Sequence, residues 1–328
     1  MIAWLSAALV LFAVPVLACS AYLVLLTLLS RQDRTPEIRA AQHGARRPRL
    51  RFVVVVPAHD EAAGIAATVG SLLATDYPRE LFHVLVVADN CNDDTAQRAR
   101  AAGADVLVRE DREHVGKGHA LAYAFEHVAA EGWAEAIVVV DADTVVSKNL
   151  LAAFAARLDS GAGVVQARYG VRNPDTSWRT RLMTIAFATF HDLRSNARET
   201  LQVSCGLRGN GMAFAMSLLR EVPFDAFSVV EDIEYGIHLA EAGHRVRYAG
   251  DAYVLGEMAC CPPRCRQVVQ RLRPEAQGRE TGIARRAAVG VGSAGERGGL
   301  ETSEVRPLPS RRPGGIPGPE VRRRGEVV

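Results

Sequence analysis

From Arg51 onward, contiguous apolar runs alternate with segments whose apolar positions recur at helical spacing. RFVVVVP (51–57), HVLVVAD (83–89), ADVLVRE (104–110) and AIVVVD (136–141) read as strands. Between them AAGIAATVGSLLA (62–74), DDTAQRARAAG (93–103) and GHALAYAFEHVAAEG (118–132) read as helices. Strands that are apolar without alternation are buried on both faces, so the pattern predicts a parallel sheet with helices on both sides. Asp94 and Thr95, just after Asn92, supply capping chemistry for the second helix. Beyond 150 the pattern loosens. Strands are predicted over 163–171, 211–217 and 244–250, a long helix over 176–200, and a helix over 229–243 that Gly243 stops.

The polar residues converge on one edge of this sheet. His59, Asp60 and Glu61 follow the first strand, Asp89 and Asn90 the second, and Asp141 and Asp143 the fourth. In open α/β sheets that edge, beyond the carboxyl ends of the strands, is where ligands bind. Two aspartates one residue apart repel each other unless a cation stands between them. A hard divalent ion with oxygen ligands suits them, although one carboxylate capping a turn while the other faces water is the simpler alternative. Lys117 lies in VGKGHAL (115–121), between two glycines at a helix start, where backbone and helix dipole favour an anion. It is not a nucleotide-hydrolase loop: Asp111 stands at the first glycine position of G-x-x-x-x-G-K-[ST] and Gly118 at the last. Nor does PAHDE after the first strand supply the glycines of a dinucleotide fingerprint.

Composition changes the picture at the two ends. Ile2 to Leu29 holds no charged residue, which is longer than the ~20 residues needed to cross a bilayer. A cleaved signal peptide is the competing reading, with VLAC (16–19) as its cleavage hint. The missing basic segment before the run, and its continuation past Cys19, favour an uncleaved anchor. Arg31, Arg34, Arg39, Arg46, Arg47, Arg49 and Arg51 follow at once and place that flank in the cytoplasm. The expected organisation is therefore an anchor (1–30), a basic linker (31–50), a globular domain (51–258) and a tail (259–328). The tail holds 14 arginines, 11 glycines, 8 prolines and no aromatic residue, which predicts disorder. It reads either as a basic segment that touches anionic lipid or as a shifted reading frame of GC-rich DNA; the abruptness of the break favours the second. The formal charge of +2 argues against a nucleic-acid binder. Cys91 and Cys205 stand alone, as suits a reducing compartment, and Cys260, Cys261 and Cys265 crowd together without a histidine at zinc-like spacing. His191, His238 and His244 are read as packing or surface residues.

VVVVPAHDEAAGI, VVADNCNDDT, GKGHAL, VVVDADT and VVEDIEYGIHLAEAGHRVRY occur in this order across 51–258. Together they resemble the inverting family 2 glycosyltransferases of GT-A fold, whose sheet is Rossmann-like and mostly parallel. The resemblance implies that Pro57, Ala58 and Glu61 lie along the base and ribose of a nucleotide sugar. It implies that Asp89 accepts a hydrogen bond from the base and that Lys117 sits beside the nucleotide. Asp141 would contact the ribose or a metal, and Asp143 would hold the Mg²⁺ or Mn²⁺ that bridges the diphosphate. Asp232 would be the catalytic base, with Glu231 beside it either a supporting partner or a solvated residue. The implied donor is a nucleoside diphosphate sugar, uridine preferred to guanosine, and the implied acceptor a lipid or glycan hydroxyl. The implied location is the inner membrane, with a single pass and a cytoplasmic domain. GLRGNGMAF (206–214) is similar to a family segment near the acceptor side and equally reads as a glycine turn into a strand.

One departure stands out. Membrane-anchored relatives often carry Q-x-x-R-W some tens of residues after the Glu-Asp pair, where this chain has RQVVQRLRPE (266–275) and no tryptophan beyond Trp178. Two functions therefore stay open: an active transferase, or a truncated and catalytically silent relative that at most binds a sugar nucleotide.

Overall fold

The structure, a computed structural model, describes residues 2–30 and 49–259. The basic linker up to residue 48, the crowded cysteines and all but the first residue of the tail lie outside them. An N-terminal helix, α1 (Ile2–Leu29), contains Pro15. Its Val10–Leu29 stretch has a mean hydropathy of 2.3, long and apolar enough to cross a membrane.

The globular part begins with β1 (Phe52–Ala58), α2 (Ile65–Leu73), β2 (Phe82–Asp89), α3 (Thr95–Ala101), β3 (Asp105–Arg109), α4 (Lys117–Glu131) and β4 (Ala136–Val139). Then come β5 (Thr144–Val146), α5 (Leu150–Asp159), β6 (Val164–Val171), α6 (Trp178–Phe187) and α7 (Arg194–Thr200). It closes with β7 (Met212–Ala215), α8 (Met216–Glu221), α9 (Glu231–Glu241) and β8 (Val246–Gly256). One eight-stranded sheet runs β3-β2-β1-β4-β7-β6-β8-β5. Its first four strands pair in parallel, as their continuous apolar runs predict. The second half is mixed: β7 is antiparallel to both β4 and β6, β8 is parallel to β6, and β5 is antiparallel to β8.

The sheet separates two apolar layers. Phe52, Val54 and Val56 face Ile65, Leu72 and Phe154 on one side. Val53, Val55 and Ile137 face Leu121, Phe125, Phe214 and Tyr235 on the other. Alternate residues of β1 serve opposite layers, which explains why its side chains are apolar without interruption.

Several elements differ from the pattern. The expected long helix over 176–200 is interrupted at Ala188–Leu193 by a π-helical stretch. The expected strand over 211–217 stops at Ala215, because Met216 starts α8. β8 runs six residues past the expected Gly250 to Gly256, since a register shift between Ala167 and Arg168 lets it follow β6 to its end. Asp94 is the N-cap residue of α3, as expected, but its side chain makes no capping bond: it pairs with Arg98 one turn on, and Asp93 Oδ1 accepts the Thr95 amide at 2.9 Å instead.

Candidate functional site

The carboxyl ends of β1 and β2, the turn after β4 and the start of α4 enclose a cavity of about 740 Å³. Pro57, Ala58, Glu61, Asp89, Lys117, Asp141 and Asp143 all line it. Every residue placed on the nucleotide or metal side by resemblance therefore meets in one cavity. Asp232 does not line it. It opens α9, and a Cβ built on Gly209 would lie 3.5 Å from both Asp232 Oδ2 and Lys117 Nζ. Gly209 thus packs against both groups, at a φ of +73° that favours glycine.

Lys117 is the electrostatic centre. Gly116, with φ +125°, precedes α4 and delivers the lysine at the helix start. Its Nζ lies 2.6 Å from Asp141 Oδ1 and 3.5 Å from Glu231 Oε1, and it donates to the Gly209 carbonyl at 2.6 Å. Burial works to lower the lysine pKa, but the charges and hydrogen bonds of the two carboxylates outweigh it and hold the ammonium above its ordinary value. Asp143 is also displaced upward, which here disfavours its charged form: burial and the neighbouring Asp141 charge push its carboxyl up. Burial, with the charges of Asp141 and Asp143 adding to it against a hydrogen bond from Asn210, pushes the Tyr169 phenol up to about 12. One ammonium thus faces three carboxylates, Asp141, Asp143 and Glu231. That excess of buried negative charge, presented by oxygen donors, fits a hard divalent cation.

Asp89 is already engaged. Asp89 and Arg109 are register partners across β2 and β3. Arg109 Nη1 donates to Asp89 Oδ1 at 2.7 Å, and Asn90 Nδ2 reaches the same oxygen at 3.1 Å. Any hydrogen bond from a nucleotide base is then left to Oδ2. Glu231, left open by the sequence, is buried and turned toward Lys117.

Residues 206–211 form a glycine-rich loop into β7, with Gly206, Gly209 and Gly211 all at positive φ. The segment is the glycine turn into a strand that one reading expects, and its Gly209 carbonyl accepts from Lys117. Buried Gln166 holds it at two points, accepting the Arg208 amide at 2.9 Å and donating to the Asn210 carbonyl at 2.8 Å. Asn210 in turn accepts the Asp141 amide at 3.2 Å and donates to Thr144 at 2.8 Å, which fixes the turn carrying the two aspartates. Sequence reasoning missed Asn210, Gln166 and Arg109. Arg109, as the end of a strand beside Asp89, carried a usable signal; Gln166 and Asn210 carried none, since their roles depend on β6 and β7 lying side by side.

A second acidic group lies nearby. Ligand atoms of Asp60, Cys91 and Asp93 fall within 4.8 Å of one another. Their hydrogen bonds serve the loop itself: Asp60 accepts the Asn92 amide at 2.6 Å, Asp93 the Ala62 amide at 3.1 Å, and Cys91 donates to the Ala58 carbonyl.

The mixed sheet with its cavity at the carboxyl ends of β1, β2 and β4 is the GT-A fold. Mannosyltransferase PcManGT from Pyrobaculum calidifontis, solved in complex with GDP-Man and Mn²⁺, superposes with a TM-score of 0.52 at 23% identity, over 74% of this chain and 69% of its own. Residues 48–280 match the family model "Glycosyltransferase like family 2", and the chain belongs to that family. The "Probable glycosyltransferase YdaM" of Bacillus subtilis is 25% identical over 204 residues, 60% of this chain. This chain spans about half the length of that curated relative, 48%.

Proposed function

We propose that this protein transfers a sugar from a nucleoside diphosphate sugar to an acceptor hydroxyl with inversion at the anomeric carbon. The observation that carries the reading is that Lys117, Asp141 and Asp143 line one cavity, while a Cβ on Gly209 would stand 3.5 Å from both Lys117 Nζ and Asp232 Oδ2, which brings the proposed base to the edge of that cavity. The nucleotide lies along Pro57, Ala58, Glu61 and Asp89, and its diphosphate lies toward Lys117 and the amino end of α4. Asp141 and Asp143 would hold Mg²⁺ or Mn²⁺, which supplies charge neutralisation to the departing diphosphate. GDP-Man and Mn²⁺ bound to PcManGT on the same fold are consistent with this assignment.

Asp232 takes the acceptor proton as the acceptor oxygen bonds to the anomeric carbon. The bond from that carbon to the phosphate oxygen breaks, and its electron pair leaves with the nucleoside diphosphate. Glu231 holds Lys117 in place and leaves the proton to its neighbour. Such general-base assistance is worth ~10²–10⁴ in rate. In the same reading α1 anchors the chain in a membrane and the site faces the cytoplasm. A reporter fused after residue 50 should then behave as cytoplasmic; a periplasmic signal there would overturn the topology.

Nucleotide binding with and without metal tests the site. Uridine and guanosine diphosphates should bind at least about tenfold more weakly when chelator is present. Asp143→Ala should abolish that difference, and Asp94→Ala, on the exposed start of α3, should preserve it. Equal affinity with and without metal in the unmodified protein would remove the cation from the assignment.

A further inference from the structure

Arg208, which feels the charge of Asp232 without pairing to it, belongs to a group of three arginines that make no ion pair among the described residues. Arg194 and Arg198 lie on α7, and Arg208 precedes Gly209 in the glycine-rich loop. Among the described residues, none of the three has a carboxylate within ion-pairing distance. The acidic residues of that helical stretch are committed elsewhere. Glu199 is held by Arg245 and Arg247 at 3.0 and 2.8 Å, and Asp192 takes the Tyr248 hydroxyl and the Asn196 amide. Arg208 gives Nη2 to the Cys205 carbonyl at 3.0 Å and Nη1 to the Leu207 carbonyl at 3.3 Å. Its Nε has no partner.

Two more buried polar atoms nearby are also without partners, His191 Nδ1 and Ser195 Oγ, four residues apart on the same helical stretch. The Arg208 charge is felt at His191, and the charges of Arg194 and Arg198 are felt at Arg208. Buried polar groups are normally hydrogen-bonded, so three unpartnered atoms among three unpaired guanidinium groups call for an occupant. The excess of positive charge specifies an anion, and guanidinium forks match phosphate geometry.

We infer that Arg208, Arg194 and Arg198, with Ser195 and His191, form an anion subsite that takes a phosphate group carried by the acceptor. That the phosphate belongs to the acceptor rests on the transferase reading, because Gly209 links Arg208 to Asp232. None of Arg194, Arg198 and Arg208 lines the cavity that holds Lys117, Asp141 and Asp143, so the subsite is not the seat of the donor diphosphate. It also borders the apolar N-terminal helix. Arg198 Nε is 3.4 Å from the hydroxyl of Tyr22, and Leu26 on α1 is fully buried. A phosphate on a lipid and a phosphate on a soluble acceptor share the chemistry that the arginines recognise.

The test uses the full chain in an uncharged detergent, with Mn²⁺ and saturating nucleoside diphosphate filling the donor site. Inorganic phosphate is titrated and thermal unfolding is followed. Saturable stabilisation is expected in the unmodified protein. Arg208→Gln should weaken phosphate binding at least about tenfold, and Arg194→Gln about threefold, with nucleotide affinity unchanged in both. If Arg208→Gln does not fold, Arg194→Gln alone decides. Lysophosphatidic acid is then compared with lysophosphatidylcholine as a competitor. Selective displacement by the former at concentrations well below inorganic phosphate assigns a lipid-borne phosphate, and displacement only at equal concentration assigns a soluble one. Absence of saturable phosphate binding, or equal affinity in the two variants and the unmodified chain, overturns the subsite. Failure of the nucleotide itself to bind would sink the transferase reading separately, leaving the phosphate titration to judge the arginines.

Discussion

Lys117 Nζ lies 2.6 Å from Asp141 Oδ1, joining the amino end of α4 to the turn after β4. A single ammonium therefore balances Asp141 and Glu231 while Asp143 stays uncompensated. Lys117→Met should destabilise the metal-free protein by about 1–3 kcal/mol, because it leaves part-buried acceptors without their charged donor. A divalent cation should restore much of that loss, so Mn²⁺ should raise the unfolding temperature of the variant more than that of the unmodified chain. Equal shifts would show that the lysine and the cation do not neutralise the same carboxylates.

Asp232→Asn keeps the shape of the side chain and removes its basicity. Loss of a general base should lower kcat and kcat/KM together by ~10²-fold or more, about 3 kcal/mol of barrier, with donor affinity near normal. Steady-state kinetics with a competent acceptor checks it. Retention of more than about a tenth of the activity would move the base elsewhere, and loss of donor binding would make Asp232 a nucleotide-side residue. Donor hydrolysis in the unmodified chain separates a transferase from a silent binder.

Gly118 sits in the first turn of α4, and a Cβ there would come within 2.3 Å of the Ala226 carbonyl oxygen. Backbone against backbone leaves no flexible side chain to yield. Gly118→Ala should cost about 1–3 kcal/mol by overpacking and shift Lys117 with the helix start. Urea unfolding should show the loss, and nucleotide affinity should fall with it. Gly132→Ala is no control, since Gly132 holds a φ of +66°.

His191 is held well below its ordinary value of 6.5, at about 4, by burial and by the positive charge of Arg208. The folded protein thus binds fewer protons at this site than the unfolded chain between those pH values. His191 contributes stability that is fully present above about pH 6.5 and is lost as the pH falls toward 4. Compared with His191→Gln, the unmodified protein should lose more stability across that window. Chemical unfolding of both proteins at several pH values from 7 to 4 reads the difference, and parallel curves would refute the assignment.

The sequence by itself determined the first half of the sheet and the set of residues at its edge. Four uninterrupted apolar strands separated by helices admit little besides a parallel, doubly covered sheet, and the side chains that follow β1, β2 and β4 must then share one edge. That is why Pro57, Ala58, Glu61, Asp89, Asp141 and Asp143 could be named from local pattern and family resemblance together. The length and apolarity of α1 were equally legible, because crossing a membrane demands a run of side chains rather than any partner.

Only the tertiary structure decided the balance of charge. Glu231 and Lys117 are 114 positions apart, and nothing local says that the glutamate is buried against the ammonium. The antiparallel β7 was equally hidden, since a short apolar stretch has no direction until neighbouring strands supply hydrogen-bond partners. Its place between β4 and β6 brings Asn210, Gln166 and Gly209 against the aspartates. The unpaired state of Arg208 likewise depends on where Glu199 and Asp192 turn. Strand and helix patterns follow from the solvent preference of each side chain. Pairing of buried charges follows from which remote groups the fold brings within a few ångströms, where removal from water makes each partner matter.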